Sequence, residues 1–316
     1  MRNILVALLT VFLLPASLHA ADKVRIGFPD FSATFLSLPV GKKPDFFQQE
    51  GIQAEFIRIR STVALTALVS GELDYHTVIG PSVAAAIRGV PVRVVACYTP
   101  GTPTLLIARP EFKSVQELKG KTIGINSYGG GLELMARLIF KHFGLDPERD
   151  VKFLATGGME SRFIALKQGS TVAILGSPPV DFLGKKMGYV VLARAHELFS
   201  YPSSGLIVNA KRIKERPEEI KRMIRAGIKA NRYIHQNREG TISVMIEWMK
   251  VDREMAAATY DGVVKSYSDD LSLPEDEIRL LIDDAKKNAN LHREVSIDQV
   301  ADLSILKEAQ RDMVIK

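Results

Sequence analysis

KTIGINSYGGGLELMARLIF, Lys121–Phe140, sets the pattern that the rest of the chain repeats. Thr122–Ile125 is a short apolar strand, and it runs directly into Asn126-Ser127-Tyr128-Gly129-Gly130-Gly131. Beyond the glycines, Leu132, Met135, Ala136, Ile139, Phe140 and Phe143 recur every three or four residues, which predicts a helix with one buried face. A strand that turns through glycines into a helix leaves the first helical N–H groups unpaired at the turn. That end carries partial positive charge and suits an anionic or hydrogen-bond-accepting ligand. Glycines also make tight connections with no ligand at all, so the turn alone is compatible with both readings. Two nucleotide motifs are excluded. Gly120-Lys121-Thr122 resembles the end of a P-loop, but Val115 stands where its first glycine belongs, and Gly129-Gly130-Gly131-Leu132-Glu133-Leu134 does not spell G-x-G-x-x-G.

Units of the same kind lie on both sides. Upstream, the predicted strands are Val24–Phe28, Gln53–Ile59, Asp74–Ile79 and Val92–Tyr98, alternating with helical segments at Thr34–Gln49, Val63–Leu73 and Val83–Arg88. Ser61 or Thr62 is the expected N-cap of the second of these. Downstream come strands at Thr104–Ala108, Val151–Ala155, Thr171–Leu175, Val190–Ala193 and Leu206–Asn209, with helices at Glu160–Lys167 and before Met187. After Arg212 the pattern is helical: Glu218–Gln236 with Pro217 in its first turn, Thr241–Lys250, Arg253–Tyr267, Glu277–Asn288 and Ile297–Arg311. Repeated β-turn-α units predict mainly parallel sheets with helices on both faces, and ligands of such sheets sit beyond the carboxyl ends of the strands.

Bulk properties narrow the class. The first residues read as a secretory signal: Arg2, an apolar run Ile4–Leu14, Pro15, and small Ala20 before a cut. No Cys follows that cut, so a soluble exported protein without a lipid anchor is expected. The single cysteine, Cys97, lies in an apolar strand and reads as a buried, inert thiol. The formal charge is +6, with bases and acids interleaved as in Glu215-Arg216-Pro217-Glu218-Glu219-Ile220-Lys221-Arg222, which argues for solvated faces and against a nucleic-acid patch. His76, His142, His196, His235 and His292 show no metal-ligand spacing, and no nucleophile elbow occurs, so no cofactor, no metal and no catalytic residue is expected.

The ordered motifs resemble periplasmic solute-binding proteins of the nitrate/sulfonate/taurine type, close to the domain of thiamin-pyrimidine synthesis proteins. They are Phe46-Phe47-Gln48-Gln49-Glu50-Gly51-Ile52, Leu65-Thr66-Ala67-Leu68-Val69-Ser70-Gly71-Glu72-Leu73-Asp74, Gly89-Val90-Pro91-Val92, Ser114–Gly124 and Arg216-Pro217-Glu218-Glu219. The resemblance implies an α/β, type II periplasmic-binding fold with two lobes and a cleft between them. It implies a signal peptide at 1–20, one lobe from 21–103 plus 204–316, the other from 104–203, and crossings near Thr99–Ala108 and Phe199–Leu206. Two departures stand out. Pro44-Asp45 replaces the family's glycine before Phe46-Phe47, and Arg60-Ser61-Thr62 replaces a small glycine-rich turn.

In that fold four turns face the cleft: Asp30, Phe31, Ser32 and Thr34; Arg60, Ser61 and Thr62; Pro81 and Ser82; and, from the other lobe, Ser127, Tyr128, Gly129 and Gly130. Met159 and Pro178 would line its floor. Ser61, Ser82 and Ser127 are equally suited to capping helices. Arg60 suits a carboxylate or sulfonate, and equally a solvated strand end. The expected function is a monomeric periplasmic binding component that closes on a small organic anion and passes it, through transient contact with an inner-membrane permease, to an ABC importer. A pyrimidine- or quinone-precursor enzyme of the same fold and an exported ligand sensor are the alternatives.

Overall fold

The computed structural model describes residues 21–126, 128 and 131–314. The expected signal segment and three residues of the glycine turn, Ser127, Gly129 and Gly130, lie outside them. In chain order the first elements are β1 (Asp22–Phe28), α1 (Ser37–Lys42), α2 (Phe46–Gln49), β2 (Ile52–Arg58), α3 (Ser61–Ser70), β3 (Tyr75–Val78), α4 (Ile79–Ala86) and β4 (Val92–Thr99). A second series follows with β5 (Leu105–Ala108), β6 (Thr122–Ile125), α5 (Gly131–His142), β7 (Lys152–Ala155), α6 (Met159–Gln168), β8 (Ala173–Gly176), α7 (Val180–Lys186), β9 (Val190–Arg194) and α8 (Ala195–Leu198). The chain then adds β10 (Ser204–Asn209), α9 (Ala210–Glu215), α10 (Pro217–Gln236), α11 (Arg238–Met249), α12 (Arg253–Val263), α13 (Glu275–Ala289) and α14 (Ser304–Val314).

Two five-stranded sheets result, ordered β2-β1-β3-β10-β4 and β7-β6-β8-β5-β9. The two-lobed α/β architecture implied by the resemblance is therefore the observed one. β1 runs parallel to β2 and β3, and β6 runs parallel to β7 and β8. The exceptions are β10 and β5, each antiparallel to both of its neighbours. β5 enters straight from the other sheet through residues 100–104, and β10 enters after the short helix α8 through residues 199–203, so neither arrives by the crossover within one sheet that a parallel neighbour needs.

In the first lobe, α10 and α14 cover one face of the sheet, where Ile220, Met223 and Ile224 pack on Val24, Ile26 and Phe28. The other face carries α3, α4 and α13, packed through Leu68, Val83 and Leu281. Edge strand β4 is closed off by the C-terminal segment: Val94 donates to Val300 O at 2.9 Å and accepts from Asp302 N–H at 2.9 Å. An unpaired edge of this kind would otherwise be free to recruit another strand. In the second lobe, α5 lays Ala136, Ile139 and Phe140 against β5, β6 and β8, and α6 and α7 cover the reverse face.

The helical segment expected at Thr34–Gln49 is broken into a 3-10 turn, Ala33–Phe35, then α1 and α2. The break falls at Asp45, whose φ of 58° is left-handed. Glycine adopts that conformation freely and Asp tolerates it better than most side chains, which explains why the resembling family carries glycine there.

Two of the recognised motifs meet at the amino ends of the first lobe's strands. Glu219, only 2% exposed, accepts bidentate bonds from Arg212 at 2.7 Å and a bond from Tyr75 Oη at 3.0 Å, and it pairs with Arg216 at 3.1 Å. Arg212 also reaches Asp74 at 2.9 Å, which in turn holds Arg25 at 3.1 Å. Arg216 and Arg222 both clasp Asp22 at the start of β1. A buried carboxylate is tolerated only with such partners, and the network ties α9 and α10 to the base of the sheet.

Candidate functional site

A cavity of about 840 Å³ opens between the lobes. It lies past the carboxyl ends of β3 and β6, where parallel strands hand the chain to helices. The first lobe contributes Gly80, Pro81, Ala84 and Arg88 from α4 and the residue following it closely, and Leu281, Asp284, Lys287 and Asn288 from α13. The second contributes Asn126, Tyr128 and, from the first two turns of α5, Gly131 to Met135 and Arg137. Between them the two crossings supply Thr102 and Thr104 on one strand of chain, and Tyr201, Pro202 and Ser203 on the other.

Hydroxyls dominate the crossings. Thr102 and Thr104 are buried and lie 3.1 Å apart through their Oγ1 atoms. Thr99 Oγ1 sits 2.7 Å from Ser203 Oγ and 2.8 Å from Ser204 Oγ, and it accepts from Ser204 N–H at 3.0 Å. Ser204 Oγ donates to Thr34 O at 2.8 Å. The crossing is thereby fastened to the turn after β1.

The charged lining is mixed in sign: Arg88, Arg137 and Lys287 face Glu133, Glu148 and Asp284. Arg137 pairs with Glu133 at 2.5 Å and Glu148 at 2.6 Å, with its guanidinium 5.0 Å from the Phe153 ring centroid. Among the described residues neither Arg88 nor Lys287 makes an ion pair. Asp284 Oδ2 accepts from Tyr201 Oη and Asn288 Nδ2, both at 3.2 Å. Burial lifts the Asp284 carboxyl above its ordinary range against those two bonds, and burial beside Asp284 pushes the Tyr201 phenol up as well.

The expected site residues divide into groups. Pro81 and Tyr128 line the cavity; Tyr128 is 64% exposed and donates from its hydroxyl to Phe153 O at 3.0 Å. Ser127, Gly129 and Gly130 are outside the described residues, while Asn126, Tyr128 and Gly131 beside them line the cavity. Ser82 is buried, and its hydroxyl donates to Val78 O at 2.7 Å within α4. Asp30 Oδ1 accepts from Ser32 N–H at 2.9 Å, and Ser32 O accepts from Trp248 Nε1 at 3.1 Å. Phe31 stands edge-on to Trp248 at 4.8 Å and to Phe28 at 5.3 Å, with Arg58 over its ring. Thr34 offers its carbonyl to Ser204 as described.

The helix start at Arg60–Thr62 differs from expectation. Arg60 itself is the N-cap of α3, extended at φ −63° and ψ 139°, and its carbonyl takes the Ala64 N–H at 2.9 Å. Ser61 and Thr62 are consequently first-turn residues, not caps, and no side chain caps the helix. Met159 packs against the second lobe's core, with Phe163, Leu166 and Val180. Pro178 is buried against Gly262 of α12, where a Cβ would come within 3.0 Å of Pro178 Cγ. Apart from Pro81 and Tyr128, none of the described candidates lines the cavity.

The hydroxyls at Thr102, Thr104 and Ser203 were visible in sequence only as breaks, in the runs Thr99-Pro100-Gly101-Thr102-Pro103-Thr104 and Tyr201-Pro202-Ser203-Ser204-Gly205. They were not among the expected site residues, and the cluster of small hydroxylated residues at each crossing is the signal that went unused. Arg88 and Asp284 carried no signal, because tertiary packing of α4 against α13 is what brings them to the cavity. Among the described residues no group of three or more His, Cys, Asp or Glu side chains could hold a metal ion. Cys97 is buried, with its thiol donating to Ser204 O at 3.6 Å and pushed well up by burial.

Residues 32–240 match the family described as NMT1/THI5 like. A Brucella abortus protein provisionally named a binding protein is 25% identical over 270 residues, 80% of each chain. The crystal structure described as the periplasmic sulfonate-binding protein SsuA of Methylobacillus flagellatus superposes with a TM-score of 0.76 at 16% identity, covering 94% of this chain and 96% of that one. The desulfurization enzyme DSZB superposes with a TM-score of 0.65 at 14% identity, covering 92% of this chain and 99% of that one, so the same fold also serves an enzyme.

Proposed function

The chain belongs to the NMT1/THI5-like family, and from that premise we propose that it is the periplasmic binding component of an ABC importer, holding a small organic anion between its lobes. The observation that carries this reading is the interlobe cavity, to which both lobes and both crossings contribute polar groups. A receptor needs such an arrangement because a ligand touching both lobes favours their approach, and closure strengthens every hydrogen bond by excluding water. We take 21–103 plus 204–316 as one lobe and 104–203 as the other, with the two crossings as hinges. Their sheet membership supports this division. Beyond the cavity the lobes also meet where Lys186 of α7 pairs with Glu254 of α12 at 2.9 Å.

The proposed binding surface joins Pro81, Tyr128 and the turn at 127–130 to Arg88 and the hydroxyls of Thr102, Thr104 and Ser203. Arg88, exposed at the cavity and without an ion-pair partner among the described residues, is the cation best placed to meet the anion. The protein acts as a monomer outside the inner membrane, meeting its permease transiently. The test is thermal unfolding of mature protein, stripped of ligand by unfolding and refolding, across sulfonates, carboxylates, nitrate and pyrimidines. The reading expects a midpoint increase of several degrees for at least one anion at saturating concentration. No increase with any of them would remove the reading's support.

A further inference from the structure

Resting on that reading, we infer that the cleft takes a small zwitterion, with Asp284 and Ser203 receiving its protonated amine while Arg88 receives its anion. Three observations lead there. The first is charge: three basic and three acidic side chains line the cavity, so their formal charges cancel. Arg137 is already paired with Glu133 and Glu148, so Arg88 and Asp284 remain as opposite charges on the lining, and a ligand carrying both charges can be matched at each end.

The second is the position of the protons at the crossing. Ser204 Oγ is 2.8 Å from Thr34 O, and a carbonyl oxygen can only accept, so Ser204 must donate there. Ser204 is then an acceptor towards Thr99 Oγ1, 2.8 Å away, and Thr99 has one proton to give. With that proton committed to Ser204, the Ser203 proton makes the contacts to Thr99, at 2.7 Å to its Oγ1 and 3.4 Å to its carbonyl oxygen. The chain Ser203→Thr99→Ser204→Thr34 O uses every hydroxyl proton. Ser203, which lines the cavity, is left with lone pairs only and asks for a donor.

The third is Asp284. Both of its hydrogen bonds fall on Oδ2, from Tyr201 and Asn288, and among the described residues Oδ1 has no hydrogen-bond partner. Lys287, one turn further along α13, lines the same wall, yet makes no ion pair with it. Tyr201 ties this carboxylate to the crossing that carries Ser203, and both residues line the cavity with an acceptor left over among the described residues. A site built to receive a donor discriminates strongly against the analogue that lacks it, because its own polar groups are then left unpaired.

The experiment compares ligands that differ only in the amine, using the full mature chain: 3-aminopropane-1-sulfonate against propane-1-sulfonate, and 4-aminobutanoate against butanoate, by titration calorimetry. The inference expects the amino member of at least one pair to bind about tenfold tighter. In Asp284→Asn that ratio falls to about twofold or less, while the amine-free member binds no more weakly than before. Ser203→Ala lowers the same ratio and serves as the second variant if Asp284→Asn folds poorly. Equal affinities within both pairs, or a ratio that survives both substitutions, would overturn the inference and leave the anion reading standing. No binding by any of the four compounds, with none by the wider anion panel, removes both.

Discussion

At the scale of single residues the least expected one is His76, which sequence reasoning set aside as unconnected. It sits on β3 in register with Gly27 and Ile207, is 0% exposed, and has both ring nitrogens without a hydrogen-bond partner among the described residues. Burial holds its pKa down at about 4. An unfolded histidine takes up its proton near pH 6.5, so between that value and 4 the unfolded chain binds a proton the folded one refuses. Stability from this group is therefore complete above pH 6.5 and falls as pH drops towards 4, by about 1.4 kcal/mol per unit. Urea unfolding at pH 7 and pH 5 should show wild type losing about 2 kcal/mol more than His76→Leu over that interval. Parallel losses in the two proteins would mean the ring is not held neutral.

Among elements, those set by local chemistry were legible and those set by tertiary packing were not. Pro217 opens α10, as proline geometry predicts, and the apolar spacing from Leu132 onward is helical in α5. The break at Asp45 was not read from periodicity, since a left-handed angle at a residue other than glycine leaves no mark in the pattern of Thr34–Gln49. Nothing local distinguishes β10 and β5 from their parallel neighbours; their direction follows from the crossings that precede them. The motifs of resemblance were read correctly as markers of the family, but their physical task was hidden. Leu73-Asp74 and Arg216-Pro217-Glu218-Glu219 build the ion network at the base of the first lobe, at the strand ends opposite the cavity. Removing one member strands its partners: Glu219→Ala leaves Arg212 and Arg216 without their shared carboxylate and should cost roughly 3–5 kcal/mol in urea unfolding. Ligand affinity of the folded fraction should be unchanged. A loss under 1 kcal/mol would show that the network is dispensable for stability.

For the molecule as a whole, the two lobes were read from the resemblance that the ordered motifs carry, and the two five-stranded sheets agree with it. The rule that ligands lie beyond carboxyl strand ends was enough to read where the cavity opens. It was not enough to name the lining, because a strand-end turn can fold back onto its own lobe. The turn at Asp30–Thr34 does so, held by Trp248 and Ser204, and Ser82 does so within its helix. Helices far apart in sequence, α4 and α13, fill the wall instead. If a small organic anion binds in this cavity, reversing the charge of Arg88 weakens its binding more than any other single change to the lining. Titration calorimetry of ligand-stripped mature protein should give one site for the anion with the largest thermal shift. In Arg88→Glu the affinity should fall about tenfold or more, with Arg60→Ala near wild type and the unfolding curves of all three alike. No binding to wild type, or binding to Arg88→Glu as tight as to wild type, would contradict the account.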